Sequence, residues 1–146
     1  MTILGLDYGQ KRVGVAISRN GLAFDLTILE LKNNESLIDK IKKICKEEKV
    51  KKIIIGLSKN REREIGFQAK LQLDFGQKIE SDIGLPVEFE DEIFTTREAN
   101  RILTELGSKK NFEKVDAKAA QLILQSYLDR IEGQDEVFRL NHSAKH

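Results

Sequence analysis

The chain opens Thr2-Ile3-Leu4-Gly5-Leu6-Asp7-Tyr8-Gly9-Gln10-Lys11-Arg12-Val13-Gly14-Val15-Ala16-Ile17. Two apolar runs, over 2–7 and 13–17, flank a short turn that holds a glycine and two cations. The first run suits a buried central strand. The second, rich in β-branched residues, suits the return strand of a hairpin. A second turn dipeptide, Asn20-Gly21, leads to a third strand over 26–31. Three antiparallel strands are therefore expected at the start, with one acid, Asp7, at the end of the first.

Further along, the apolar period lengthens to that of a helix. Ser36 is placed to cap a helix in which Leu37, Ile38, Ile41, Ile44 and Cys45 recur at helical spacing. Lys52-Ile53-Ile54-Ile55-Gly56-Leu57 reads as a strand covered on both faces. A helix over 63–81 follows, with Phe67, Leu71 and Phe75 in register, then a strand over 86–90. Thr95, with Glu98 three residues on, opens a helix over 95–106. The last helix is expected over 116–131, and the polar segment 133–146 as a tail outside a single domain of residues 1–132. Such an order implies one mixed α/β sheet of five strands, with helices on both faces. Right-handed crossovers set the strands at 53–57 and 87–90 parallel to the first. Their C-terminal ends then share one edge, where ligands of open α/β sheets bind.

Composition narrows the setting. The 146 residues suit one domain with a sizeable core. No apolar run approaches the ~20 residues of a membrane span, so no membrane partner is expected. The N-terminus lacks the basic stretch of a signal peptide. One cysteine, Cys45, excludes an internal disulfide framework and suits a reducing, cytoplasmic setting. Its place in the helical pattern marks it as a small buried hydrophobe. With 25 basic and 24 acidic residues the net charge is +1, so no strongly basic nucleic-acid-binding surface is announced. The lysine-rich stretch 35–52 reads as a solvated helix face.

Three groups of acids stand out against this frame. Asp7 follows a core strand directly and is either a turn residue capping amides or a site residue. Asp116 precedes the stripe Ala119, Ala120, Ile123, Leu124, Tyr127 and Leu128 on the same helical face. A carboxylate on a face that packs on the sheet must be paired, hydrogen-bonded or metal-bound, unless it serves the helix N-terminus. Asp91 and Glu92 end the fifth strand, crowded by Glu88 and Glu90, whose mutual repulsion opposes ionising all four. Strict alternation puts Asp91 inward with Val87 and Phe89. Glu92, longer and nearer the sheet edge, is the preferred ligand of the two. If the topology holds, Asp7, Glu92 and Asp116 converge. Hard oxygen donors without His or Cys fit Mg2+ or Mn2+, ions that drive in-line displacement at phosphorus. Lys11 and Arg12 in the first turn are placed to hold phosphates at the same edge, and Lys59, Asn60 and Arg61 after the fourth strand either do the same or are ordinary solvated loop charge.

These segments resemble the motifs of a known family, YqgF. Asp7-Tyr8-Gly9 with Lys11-Arg12 and Gly14-Val15-Ala16 is similar to its opening motif. Asp91-Glu92 with Thr95-Thr96 and Glu98-Ala99 resembles the second, and Val115-Asp116-Ala117-Lys118-Ala119-Ala120 with Ile123-Leu124-Gln125 the third. Similarity spans about residues 1–130. The resemblance implies a ribonuclease-H-like fold related to Holliday-junction resolvases, and a cytoplasmic nuclease that matures the 5′ end of precursor 16S ribosomal RNA. It carries the functional acids onto Asp7, Asp91 or Glu92, and Asp116. RNA is then the expected partner, branched DNA the alternative, and the protein a monomer or weak homodimer. Two positions depart from the family pattern. Gly56-Leu57-Ser58-Lys59-Asn60 replaces its usual Gly-Leu-Pro-Leu-Asn, and Ile93 stands where an arginine follows Asp-Glu. Strand 53–57 also carries no acid, unlike its counterpart in resolvases. Rival readings are a non-catalytic nucleic-acid-binding module of the same fold and one lobe of an actin-type ATPase, which also opens with Asp-x-Gly. That lobe works as half of a two-lobed clamp, and 146 residues supply one.

Overall fold

In the computed structural model, which describes residues 1–9, 11–31, 34–58, 66–91 and 112–143, the opening hairpin joins β1 (Thr2–Tyr8) to β2 (Arg12–Ser18). Their register runs from Ile3↔Ser18 to Tyr8↔Val13. β3 (Ala23–Glu30) pairs antiparallel with β2. Then follow α1 (Asn34–Glu47), β4 (Val50–Leu57), α2 (Phe67–Ile83), β5 (Val87–Asp91) and α3 (Phe112–Ser143). The described strands form one five-stranded sheet in the order β3-β2-β1-β4-β5. β4 runs parallel to β1, and β5 parallel to β4. This is the mixed sheet expected from the sequence.

Alternation along each strand divides the core into two layers. On one face Leu4, Leu6, Val15, Ile53 and Ile55 pack with Leu37 and Ile41 of α1 and Phe75 and Ile79 of α2. On the other, Ile3, Ala16 and Ile54 pack with Ala120, Ile123 and Leu124 of α3. Gly5 permits that second contact. A Cβ there would lie 2.8 Å from Leu124 Cβ and 3.3 Å from the Ala120 carbonyl oxygen, closer than packed atoms tolerate. Among the described residues no helix is long and apolar enough to cross a membrane.

Several element bounds differ from the sequence expectation. α1 starts at Asn34, so Ser36 lies inside the helix rather than capping it. The buried face of α2 is Ala69, Gln72, Phe75, Gly76 and Ile79. Phe67 is 75% exposed, because as the helix's first residue it precedes the part that lies on the sheet. β5 extends through Asp91, kept in the sheet by the Leu57↔Asp91 pairing to β4. α3 is much longer than 116–131. Nothing in the polar segment stops it, since the chain there has no proline and Gly133 alone costs only about 1 kcal/mol. The helix expected over 95–106 lies outside the described residues.

Candidate active site at the split between β1 and β4

The chain leaves β1 towards β2 on one side and leaves β4 towards β5 on the other. Between these neighbours lies the switch point of the sheet, where a crevice opens beyond the strand ends. The β1–β4 ladder runs from Thr2↔Val50 to Leu6↔Ile55. Asp7 is the next residue of β1, half-buried and opposite Gly14 of β2. It shares the parity of Ile3 and Gly5, and therefore the face covered by α3. Asp116 lies in the early turns of α3, one turn before the Ala120 that rests against Gly5.

The two turn cations are placed differently. Arg12 is the first residue of β2, half-buried, with the parity of Gly14 and Ala16 and so on the face of Asp7. Opposite Asp7 stands Gly14, and Arg12 is its neighbour two residues along, a diagonal that long side chains span. Lys11 is exposed in the turn. Its carbonyl accepts the Leu31 N–H at 2.9 Å, and the Arg12 carbonyl accepts the Gly9 N–H at 3.0 Å. Lys59, Asn60 and Arg61 lie outside the described residues.

The acids of β5 separate by face. Glu88 and Glu90 point to α3, and Asp91 shares the face of Val87 and Phe89, which pack under α2. Glu90 is buried and accepts hydrogen bonds from Arg130 Nη2 at 2.8 Å, Arg130 Nε at 3.4 Å and Ser126 Oγ at 3.3 Å. Glu88 lies 3.3 Å from Lys52 Nζ, which also donates to the Tyr127 hydroxyl at 3.0 Å. Hydrogen bonding to Tyr127 and then Lys52 holds the Glu88 carboxyl below its ordinary range. Both cations also lie near the face of the Tyr127 ring, Arg130 at 5.4 Å and Lys52 at 5.7 Å. The repulsion expected among these acids is thus relieved by a cation from β4 and another from α3. Glu88 and Glu90 clasp α3 to the sheet.

Gln72 and Gln68 are participants that the sequence reading missed. Gln72 is fully buried. Its Oε1 accepts the Ser58 N–H at 2.7 Å, and its Nε2 donates to Ser58 Oγ at 3.1 Å and to the Tyr8 carbonyl at 3.4 Å. Gln68 Nε2 donates to the same carbonyl at 2.9 Å. The Tyr8 ring stacks on Phe75 at 4.1 Å between centroids. A polar residue inside the apolar stripe of α2 is the signal that singles out Gln72.

Glu92 lies outside the described residues, as does the side chain of Asp116. Among the described residues no three His, Cys, Asp or Glu side chains stand together as a metal site. The donor chemistry fits a hard cation: the described group at the crevice is a carboxylate, with no thiol or imidazole beside it. Cys45 belongs to the buried face of α1, and desolvation pushes its thiol up to about 11.

The comparisons with known proteins agree with this geometry. Residues 1–130 match the RuvX family model, described as Holliday junction resolvase. Relatives named "Putative pre-16S rRNA nuclease" include one from Clostridium botulinum strain Alaska E43, 41% identical over 136 residues. That alignment covers 90% of this chain and 98% of the relative. Another, from Streptococcus sanguinis strain SK36, is 41% identical over 138 residues, covering 89% and 99%. Among solved structures, Thermus thermophilus RuvC bound to a Holliday junction substrate aligns with a TM-score of 0.58 at 14% identity, covering 91% of this chain and 96% of that one. The fowlpox virus resolvase bound to Holliday junction DNA aligns with a TM-score of 0.57 at 11% identity, covering 90% and 99%. At such identities the likeness carries the fold, which is ribonuclease-H-like. Family model, curated relatives and sheet topology together make this chain a member of the RuvX (YqgF) family.

Proposed function

We propose that the protein is a metal-dependent nuclease that trims the 5′ end of precursor 16S ribosomal RNA in the cytoplasm. The observation that carries the reading is Asp7: a carboxylate at the end of a central strand, at the mouth of the switch-point crevice, on the face of the helix that bears Asp116. Family membership and full-length relatives named for that activity support it. Asp7, Glu92 and Asp116 would hold Mg2+ or Mn2+, which supplies electrostatic stabilisation of charge developing at phosphorus. Asp91 belongs to the face opposite Asp7, which favours Glu92 as the ligand of that pair. Arg12, on the Asp7 face, would hold a phosphate next to the carboxylates, and Lys11, Lys59, Asn60 and Arg61 would extend that hold without reading sequence.

The likeness to resolvases bound to four-way junctions favours one second reading, a nuclease for branched DNA. Matched assays at one salt concentration separate the two. The expected result is Mn2+-dependent shortening of a precursor 16S RNA with a synthetic four-way DNA junction left intact. Junction cleavage with the RNA left intact would reverse the assignment, and cleavage of neither would leave a non-catalytic binding module.

A further inference from the structure

We infer that Gln72 is a positioning residue: its carboxamide, lodged between Tyr8 and Ser58, sets the opening of the crevice between β1 and β4 and so the placement of Asp7. The inference rests on the reading of Asp7 as a metal ligand. Its starting point is where the ladder runs. β1 stays paired with β2 through Tyr8↔Val13, and β4 with β5 through Leu57↔Asp91. The β1–β4 register ends two residues earlier on each strand, at Leu6↔Ile55. The sheet therefore divides at one seam, and each half carries its own part of the crevice wall.

Backbone groups at the end of such a seam still need partners. Gln72 meets that need with a side chain shaped like a peptide unit. Its oxygen accepts the Ser58 N–H of one half, and its nitrogen donates to the Tyr8 carbonyl of the other. A backbone amide lying between two strands would make the same pair of bonds. The third bond, from Nε2 to Ser58 Oγ, fixes which way round the carboxamide sits. Gln68 adds a second donor to the Tyr8 carbonyl, and the Tyr8 ring is held by Phe75 of the same helix.

Burial makes this wedge stiff. Gln72 is fully buried, and its helix is anchored on the sheet beside it by Phe75. Rotating its carboxamide away would take the acceptor from the Ser58 N–H and leave the Tyr8 carbonyl to Gln68, which belongs to the helix and not to the other strand. The spacing of the two halves is thus imposed by a rigid helix rather than by a ladder. Asp7 precedes the Tyr8 carbonyl by one residue, so a change of the wedge moves the carboxylate relative to the rest of the site.

The test compares wild type, Asp7→Asn, Gln72→Met, Ser58→Ala and Ile79→Val as full-length proteins. Mn2+ affinity, exchange of the Ser58 amide, and kcat and KM on precursor RNA are measured well below each variant's Tm. Gln72→Met preserves volume while removing the bonds to Ser58 and Tyr8. It should weaken Mn2+ binding by roughly 10- to 100-fold, the range typical of groups that orient a metal ligand. Its Ser58 amide should exchange faster, and kcat should fall while KM for RNA changes little. Ser58→Ala, which removes the Oγ that accepts from Gln72 and keeps the backbone N–H, should lose Mn2+ affinity severalfold, and it decides the matter if Gln72→Met does not fold. Ile79→Val, a core change on the same helix, should leave Mn2+ affinity unaltered. Wild-type Mn2+ affinity in Gln72→Met, or in Ser58→Ala if only that variant folds, would overturn the inference. Equal Mn2+ binding by wild type and Asp7→Asn would instead overturn the metal-site reading beneath it.

Discussion

At the scale of single residues, charge placement follows burial closely. Glu90 is buried because Arg130 and Ser126 satisfy its oxygens. Arg130→Met should therefore destabilise the protein by about 2 kcal/mol, the worth of hydrogen bonds to a charged group, measured by urea unfolding at neutral pH. Cys45 illustrates the opposite case, a buried thiol shifted by desolvation. Burial pushes its thiol up to about 11, which leaves almost no thiolate at neutral pH. Labelling of the native protein by a thiol reagent should thus be slow and should track global unfolding; rapid labelling without denaturant would contradict the buried placement. Asp7 and Cys45 were both legible in the sequence, one as an acid ending a core strand and the other from helical spacing. Gln72 is not legible in this way, because helical spacing ties the stripe of α2 to Phe67, Leu71 and Phe75. The true stripe is set by how the helix lies on the sheet, and that places Gln72 rather than Phe67 inside.

At the scale of elements, the helices set the site by how closely they approach. α3 lies on Gly5 with no room for a side chain. Gly5→Ala should cost about 1–3 kcal/mol by overpacking, and its loss of activity should exceed its loss of stability because α3 carries Asp116. Clasping of α3 by β4 and β5 adds a pH dependence. Glu88 has a folded pKa below its usual 4.5, so its contribution is present above about 4.5 and is lost as pH falls through the lowered value. Lys52 is raised above 10.5, first by its bond to Tyr127, so its contribution is complete below that value and lost as pH rises through the folded one. Tm should therefore decline on the acid side, and Lys52→Met should make that decline shallower; an unchanged acid limb would remove Glu88 from the clasp. The loop after β4 shows a coupling that no single motif reveals. Where the family pattern has proline, Ser58 supplies the N–H that Gln72 accepts, a bond that a proline lacks the hydrogen to make.

At the scale of the whole molecule, strand direction was the most legible feature. Residues 2–31, with a glycine-containing turn and the Asn20-Gly21 dipeptide, imply the antiparallel half of the sheet, and the change to helical period after them implies the parallel half. The split between β1 and β4 follows from the order in which the strands pair, and it leaves Asp7 just past the end of the β1–β4 ladder. Lengths of elements were less legible, because they depend on pairing and docking. β5 reaches Asp91 through its ladder to β4, and α3 runs on to Ser143 because its polar segment offers no stop. The reading as a nuclease concentrates on one carboxylate. The decisive measurement is cleavage of precursor 16S RNA with Mn2+ by wild type and Asp7→Asn, matched for Tm. Removal of a residue that merely orients a metal ligand costs 10- to 100-fold, so loss of the ligand itself should slow cleavage by more than about 100-fold. Cleavage by Asp7→Asn at the wild-type rate would contradict the assignment of this site.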